Sequence, residues 1–431
     1  MFGQTTMQWR VLGLILVAAM PTSVSALDIK LDARAESEYT TNSARTNSDE
    51  IEEWVFKPGL FLSAKHESAG VELDADYRFH RRIYQQDAFD DESIVTGTGR
   101  LFLNAVPGLL DFTVTNSRTE TPIRSINSAS PDNRQETANT QAGPTLKFRV
   151  RGKDEIQVQY LYGNRISERT DNNADSHTAI LRYVLNSSAS NRLNFEVIQQ
   201  EVQFQNPIAP DIESTTGQVR WERSSDTLNW SLIAGYKETQ RTLSRSDVDA
   251  PVINLEMQWQ AAPNTSFFLE ASRDVRDQSE VLGFGSTEFG QRLRADSDLN
   301  EIFTDTRFFG GLTQKIGHTN FTLGFLAYDE DYEDVLRDTE LAGVILNANR
   351  RLNRLTTLDV RMRYFKQEYT DQDLESDILG GSALVTRRMS RRLSIAAGVY
   401  YDERDNDNPF FQASNYDEWL ATIRVDYKLL Q

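Results

Sequence analysis

The sequence contains no cysteine and only four histidines in 431 residues. The absence of cysteine excludes disulfide frameworks, zinc sites built on thiolates and thiol nucleophiles. Positive charge is also scarce, because 46 Lys and Arg stand against 64 Asp and Glu and leave a net charge of -18. Nucleic-acid binding is therefore not expected, since there is no basic surplus to meet phosphates.

Long hydrophobic runs are missing as well. The mean hydropathy is -0.53, and beyond the N-terminus no apolar run approaches the ~18 residues that a membrane-spanning helix needs. These facts exclude a helical membrane protein. They leave open a membrane protein made of strands, in which only every second strand residue has to be apolar.

The first 26 residues have the organisation of a secretory signal peptide. Arg10 is the single charge there and precedes the apolar residues 11–20. Pro21 ends that run, and small residues close the segment at Ala26. We expect cleavage after Ala26 and export of residues 27–431 as one domain. Without cysteine there is no lipobox, so a lipoprotein is not expected.

Beyond residue 27 the dominant period is two. In residues 27–36 the series Leu, Ile, Leu, Ala, Ala alternates with Asp, Lys, Asp, Arg, Glu, and residues 71–80 alternate in the same way. Successive side chains of a strand point to opposite faces, so each segment has one apolar and one polar face. Twenty such segments centre near Leu31, Leu60, Leu73, Leu101, Val114, Phe148, Val158, Leu181, Phe195, Val219, Leu232, Leu255, Leu269, Phe309, Leu323, Ile345, Val360, Leu384, Ala397 and Ile423.

The connections between these segments are alternately short and long. Short turns such as 106–108 and 151–154 are followed by long polar stretches such as 117–139 and 273–300. This order predicts an all-β, up-and-down antiparallel transmembrane β-barrel with about 20 strands of ~10 residues, tight turns at one rim and large loops at the other. Eighteen strands remain an alternative if the first hairpin does not close the barrel.

The apolar face carries aromatic residues near its ends. Trp419 and Tyr427 share one face and lie eight residues apart, which is roughly 26 Å along a strand and about 20 Å after a tilt of some 40°. Such spacing suits an apolar band between two aromatic girdles, whereas a soluble two-layer sandwich would show the alternation alone. The predicted girdle consists of Trp230, Tyr236, Trp259, Trp419 and Tyr427.

The polar face is rich in charges of both signs. A barrel of ~20 strands is too wide for side chains to fill, so we expect water inside unless a loop folds in. The predicted lining residues are Lys30, Asp32, Arg34, Glu72, Asp74, Asp76, Arg78, Arg182, Arg220, Arg361 and Arg363. The glycine-rich loop 273–300 is the candidate for an inward-folded constriction, and an ordinary extracellular loop is the alternative.

The connections also differ in charge. Loops 329–340 and 402–418 are acidic, whereas two short turns are basic. The basic residues are Arg350, Arg351 and Arg354 in one turn and Arg387, Arg388, Arg391 and Arg392 in the other. Solvated loops are commonly charged. The functional alternative is that the acidic loops collect divalent cations beside a lipopolysaccharide leaflet.

Catalytic patterns are almost absent. His80 and His177 fall near the loop rim, and His177 follows Ser176, but nothing in the sequence supplies a third group to orient a base. The acidic runs do not have the spacing of a known calcium loop. We therefore predict no enzyme, no metal site and no cofactor.

Three segments near the start of the mature chain carry a family resemblance. Residues 34–42 (RAESEYTTN), 57–60 (KPGL) and 74–78 (DADYR) resemble the opening of porin-like outer-membrane β-barrels associated with exopolysaccharide and PEP-CTERM (exosortase) loci. The resemblance implies a Gram-negative outer membrane, insertion by the barrel assembly machinery beside lipopolysaccharide, and partners in polysaccharide export. It supplies no catalytic residues.

The sequence thus leaves two functional hypotheses. The first is a passive conduit or export component for a solute such as an exopolysaccharide. The second is a non-conducting structural or adhesive barrel whose acidic loops bind surface partners.

Overall fold

The computed structural model describes residues 27–47, 50–124, 127–128, 130–170, 172–188, 190–207, 209–242, 247–277, 301–333, 337–408 and 414–430. These residues form one closed antiparallel β-barrel of 20 strands. The predicted signal peptide, 1–26, and residues 278–300 of the predicted constriction loop lie outside the described residues.

The strands follow one another around the barrel in chain order. Their bounds are β1 Asp28–Thr40, β2 Glu53–Glu67, β3 Val71–Tyr84, β4 Glu92–Val106, β5 Leu110–Pro122, β6 Arg134–Arg151, β7 Asp154–Ser167, β8 Ala174–Ser188, β9 Asn191–Phe204, β10 Ile212–Ser224, β11 Leu228–Arg241, β12 Asp247–Ala262, β13 Thr265–Asp277, β14 Ile302–Ile316, β15 Thr319–Tyr332, β16 Thr339–Arg351, β17 Thr356–Tyr369, β18 Leu374–Arg388, β19 Leu393–Asn406 and β20 Tyr416–Leu430. Two single-turn 3₁₀ helices, Pro131–Asn133 and Thr370–Gln372, lie in loops. Among the described residues, no helix has the length and apolar character needed to cross a bilayer.

The first and last strands close the cylinder. Thr40 of β1 pairs with Leu420 of β20, and the register continues to Asp32 and Lys428. This pairing rules out the 18-strand alternative. Each of the twenty predicted strand centres falls inside a different observed strand, so the predicted fold class is confirmed.

The strands are longer than the ~10 residues expected from the sequence. They contain 13 to 18 residues, which corresponds to about 43 to 59 Å along a strand. The estimate was too short because alternation continues after the outer face becomes polar. On β11, for example, Glu238 and Gln240 follow Tyr236 on the outer face.

The exterior of the barrel is apolar. Leu181, Val197, Met362 and Ile423 are among the large apolar side chains that are more than half exposed, and alternation places all of them on the face away from the buried and charged residues of their strands. The opposite face of each strand points to the interior. There the side chains are mostly polar, and they contact one another across strands.

Candidate functional site: the interior of the barrel

All of the predicted lining residues lie on the face that points into the barrel. Arg34 is opposite Asp426 in the register and donates a hydrogen bond to it. Arg78 is opposite Phe61, and the Phe61 ring contacts both guanidinium groups, with centroid distances of 4.0 Å to Arg34 and 5.3 Å to Arg78. Leu60, the neighbour of Phe61, is on the outer face and exposed.

The remaining predicted residues on this side of the barrel are acidic or paired with acids. Lys65 Nζ lies 3.2 Å from Asp74 Oδ1 and 3.8 Å from Asp76 Oδ2, and Lys30 lies 2.9 Å from Asp28. On the inner face of β1 the charges alternate in sign, whereas the inner face of β3 begins with three acidic residues. The two inner faces also include Asp32 and Glu72.

A second charged group lies on the wall formed by β8, β9 and β10. Arg182 Nε is 2.6 Å from Glu196 Oε1, and Arg220 Nε is 3.6 Å from the same oxygen. Gln218 donates a hydrogen bond of 2.6 Å to the other oxygen of Glu196. One buried carboxylate therefore balances two arginines, and the group keeps a net positive charge.

The third group lies on β17 and β19. Arg363 Nη2 donates a hydrogen bond of 2.7 Å to Asp402. Arg361 lies on the same face of β17, is exposed, and has no ion-pair partner in the part of the chain that the structure describes. Arg361 therefore presents an unpaired positive charge to the interior, whereas the charge of Arg363 is balanced by Asp402.

Near its loop end the sheet splits between β4 and β5, while β6 stays paired with β7 up to Thr137 and Ser167. Pairing between β4 and β5 stops at Gly97 and Arg118, although β5 continues to Pro122. Gly97 has a φ of 147°, and a Cβ atom at this position would lie 2.2 Å from the carbonyl oxygen of Asp76. Only glycine tolerates this backbone conformation and close approach. β4 therefore bends where the hairpin separates from it.

An ion-pair network holds the separated hairpin against the inside of the wall. Arg82 lies on the inner face of β3, whereas alternation places Glu120 on the same face of β5 as Val114, which is the outer face. Arg82 nevertheless donates hydrogen bonds of 2.8 and 2.7 Å to the two oxygens of Glu120 and one of 3.1 Å to Glu92. Arg134 Nε lies 2.9 Å from Glu120. The outer face of this hairpin is thus turned against the inner face of β3 and β4.

Asn127, which lies between β5 and β6, contacts a distant part of the barrel wall. Arg404 of β19 donates a hydrogen bond of 3.4 Å to the carbonyl oxygen of Asn127. Around the closed ring, β19 is six strands from β5 through β1 and β20. The contact therefore bridges the interior instead of following the wall.

Beside this contact, a loop arginine is surrounded by acidic and phenolic groups. Arg45 Nη2 lies 2.8 Å from Glu418 and 3.8 Å from Asp402. Burial opposes the charge of Arg45, but Tyr416, Glu418 and Asp402 together raise its pKa above the usual value. Arg45 is therefore a permanent cation at the loop rim.

The hairpin of β13 and β14 also turns inward. Pairing between β12 and β13 stops at Ile253 and Arg273. Beyond that point Val275 and Ile302 are fully buried, although alternation places Ile302 on the same face as the exposed Phe308. They belong to an apolar cluster with residues from the inner faces of the neighbouring strands. That cluster consists of Ala174, Val202, Phe204, Ile212, Val248, Ala250, Val275 and Ile302.

Two polar contacts fix the loop end of the β13–β14 hairpin to β11. Lys237 Nζ donates a hydrogen bond of 2.8 Å to the carbonyl oxygen of Val275, and Arg241 Nη2 lies 2.6 Å from Glu301. The predicted constriction was assigned to loop 273–300. Residues 278–300 lie outside the described residues, and the loop ends of β13 and β14 on either side of them point into the barrel. The inward turn of β5 and β6 was not predicted.

The predicted aromatic girdle lies on the outer face. The rings of Trp230 and Trp221 have centroids 4.7 Å apart, and Trp259 stacks on Phe267 at 5.4 Å. The predicted residues Trp230 and Trp259 are near the short turns. Tyr427 is also near this rim and is exposed. Near the loop rim, the other two predicted residues are Trp419, which contacts Tyr401 at 4.7 Å, and Tyr236, which bonds to Asp249.

The bond between Tyr236 and Asp249 is one of a repeated kind. In four loop hairpins, an outer-face tyrosine donates its hydroxyl to a carboxylate 13 residues further along the chain. The pairs are Tyr39 with Glu52, Tyr162 with Asp175, Tyr236 with Asp249 and Tyr364 with Asp377. Because each pair joins an aromatic ring to a charged group, the four mark the border between the apolar exterior and its polar continuation.

The two histidines near the loop rim do not form a catalytic arrangement. His177 lies on the outer face of β8, with Nδ1 2.7 Å from the Tyr160 hydroxyl, whereas its neighbour Ser176 is on the inner face. His80 is on the inner face of β3. Within the described ranges, no group of three or more His, Asp or Glu side chains is placed to hold a metal ion.

Comparison with known proteins finds similarity only among solved structures. No family model matches the sequence, and no curated protein matches it. The FrpB iron transporter from Neisseria meningitidis (F5-1 variant) is similar with a TM-score of 0.48 and 10% identity, over 94% of this chain and 83% of that one. OccK2 (OpdF) from Pseudomonas aeruginosa has a TM-score of 0.41 and 11% identity, over 94% and 99%. OmpT, an outer membrane protein of Vibrio cholerae, has a TM-score of 0.38 and 10% identity, over 95% and 100%.

Proposed function

We propose that this protein is an outer-membrane β-barrel of a Gram-negative bacterium that acts as a passive, constricted conduit for hydrophilic solutes. The observation that carries the proposal is the separation of the two faces. The exterior is an apolar band between aromatic borders, as a barrel in lipid requires. The interior is charged and hydroxyl-rich, and water can enter it without a large desolvation cost.

The inner wall suits a hydrophilic solute with little net charge. Arginines pair with carboxylates across the wall, as Arg34 does with Asp426 and Arg182 with Glu196. In addition, β5 has an inner row of Thr113, Thr115, Ser117 and Thr119. Such a wall offers both donors and acceptors to hydroxyl groups. We propose carbohydrate as the solute class, and export of an exopolysaccharide as its specific form. Lipopolysaccharide, the barrel assembly machinery and polysaccharide export components are the proposed partners. No catalytic role is part of the proposal.

The non-conducting structural barrel remains the second candidate. It is favoured by one observation, namely that two hairpins turn inward and bury apolar and charged side chains near the loop rim. If the hairpins met and sealed the mouth, the molecule would present loops to its surroundings without passing a solute.

Single-channel recording and liposome swelling separate the two candidates. The purified barrel should give stable open channels in planar bilayers, and liposomes that contain it should swell in monosaccharides faster than in larger oligosaccharides. A sealed bilayer, together with a folded barrel on a heat-modifiability gel, would reject the conduit and support the structural barrel. If the wild-type barrel hydrolysed a substrate and replacement of His80 or His177 abolished that hydrolysis, both the conduit and the structural barrel would be rejected.

A further inference from the structure

One sector of the short-turn rim is strongly basic. The adjacent turns between β16 and β17 and between β18 and β19 carry seven arginines, and all seven side chains are exposed. They are Arg350, Arg351, Arg354, Arg387, Arg388, Arg391 and Arg392. None has an ion-pair partner within the part of the chain that the structure describes. This concentration of unpaired positive charge occurs in a chain whose net charge is -18.

The two turns form one ordered platform. The backbone N–H of Arg388 donates a hydrogen bond of 2.8 Å to the carbonyl oxygen of Leu355, and so joins one turn to the other. Asn353 accepts a hydrogen bond of 2.9 Å from the Leu355 N–H, and Ser390 accepts one of 3.1 Å from the Arg392 N–H. The backbone that carries the arginines is therefore ordered at the end of the barrel.

The same turns carry exposed apolar side chains. Leu352, Leu355 and Met389 are 49%, 46% and 53% exposed. Alternation along the adjoining strands puts Arg350 and Arg387 on the apolar exterior, where Arg387 follows the exposed Val385. Cations and apolar groups thus meet at the edge of the lipid-facing band, which is where phospholipid headgroups begin.

We propose that this basic sector, residues 350–354 and 387–392, binds the phosphate groups of anionic phospholipids in the leaflet at the short-turn rim. The apolar residues enter the acyl region, and the arginines reach the headgroup phosphates, to which guanidinium groups bind bidentately. Leu352, Leu355 and Met389 lie close to Leu346 and Val385 of the exposed apolar exterior. A lipid leaflet that covers this exterior also covers the turns, so lipid is the occupant that the surface fits. The inference rests on the proposed location in a bilayer.

The test measures lipid selectivity of the folded barrel. The protein is reconstituted in phosphatidylcholine vesicles with spin-labelled phosphatidylglycerol or phosphatidylcholine, and the immobilised fraction of each label is compared. We expect a preference for phosphatidylglycerol of about fivefold, the factor that a single basic contact near the surface provides. Replacing all seven arginines by Gln should remove the preference, and high salt should reduce it.

A matched control uses the same rim. Arg149, Arg151 and Lys153 lie at the β6–β7 turn, where Asp154 and Glu155 accompany them. The triple variant R149Q/R151Q/K153Q should retain the wild-type preference. Equal immobilisation of the two labels by the wild-type barrel would overturn the inference. An equal loss of the phosphatidylglycerol preference in the seven-arginine variant and in the triple variant would also overturn it. Failure to insert, seen as loss of heat modifiability, would instead reject the proposed function.

Discussion

Arg82 of β3 donates two hydrogen bonds to Glu120 of β5, although β4 lies between the two strands in the sheet. This pair can form only because the loop end of β5 has separated from β4 and turned inward. It therefore fixes the position of the hairpin in the mouth of the barrel.

Replacing Glu120 by Gln should loosen this hairpin. Arg82 and Arg134 would lose their shared carboxylate, and a hydrogen bond to a charged group contributes about 1.5 to 3 kcal/mol. We expect a larger mean single-channel conductance and more frequent transitions between open levels. The control is Arg81→Gln, next to Arg82 on β3. It removes an ion pair with Asp91, a residue of the loop between β3 and β4, and should leave the conductance unchanged. Equal conductance in the wild type and in the Glu120 variant would show that the hairpin does not restrict the path.

Ion selectivity should depend on Glu196. This carboxylate lies between Arg182 and Arg220, so Glu196→Gln leaves both guanidinium groups without their counter-charge. We expect the reversal potential in a KCl gradient to move toward the equilibrium potential of chloride, which means that the channel becomes more anion-selective. Glu222→Gln, which removes a weaker pair at 3.7 Å from Arg192, should produce a smaller shift. A larger effect from Glu222 would contradict the assignment of the arginine pair to the conducting path.

The tyrosine–carboxylate pairs should stabilise the loop border of the apolar band. Tyr236→Phe removes the hydroxyl that bonds to Asp249 and keeps the ring, so we expect a loss of about 0.5 to 1 kcal/mol in the free energy of unfolding from lipid vesicles. Tyr427→Phe is the matched control. Its hydroxyl has no hydrogen-bond partner among the described residues, and the substitution should be neutral. Urea titrations of both variants measure the difference.

Gly97 should not accept a side chain. Its φ and the nearby carbonyl of Asp76 predict a cost of about 1 to 3 kcal/mol for Gly97→Ala, in addition to the steric contact. Gly217 on β10 has open space at the Cβ position, so Gly217→Ala serves as the control. The folded yield and the urea midpoint should fall only for the Gly97 variant. Equal tolerance at both positions would mean that β4 does not need this bend.

The strand order follows from the short and long connections in the sequence, and the facing of the inner wall follows from the apolar and polar alternation along each strand. Lys30, Arg182 and Arg361, for example, were assigned to the interior because their neighbours are apolar, and the structure places them there. Alternation works because the lipid-facing side of a strand admits few polar residues.

The inward hairpins could not be predicted in the same way. Alternation puts Glu120 on the outer face. It gives no sign that β5 stops pairing with β4 on the loop side of Gly97. The partner of Glu120, Arg82, is 38 residues away. Strand length was underestimated for a related reason, because outside the apolar band the outer face becomes polar while the sheet continues.

The central claim is that the barrel has lipid outside and water inside, and the absence of cysteine allows a direct measurement. Arg361 and Met362 are neighbours on β17 that face opposite sides of the wall. Arg361→Cys and Met362→Cys are reconstituted in vesicles and treated with a membrane-impermeant maleimide, with detergent-unfolded samples to confirm that both thiols can react. We expect rapid labelling at position 361 and protection at 362. Equal labelling of the two positions in the reconstituted barrel, or labelling of 362 alone, would contradict the account.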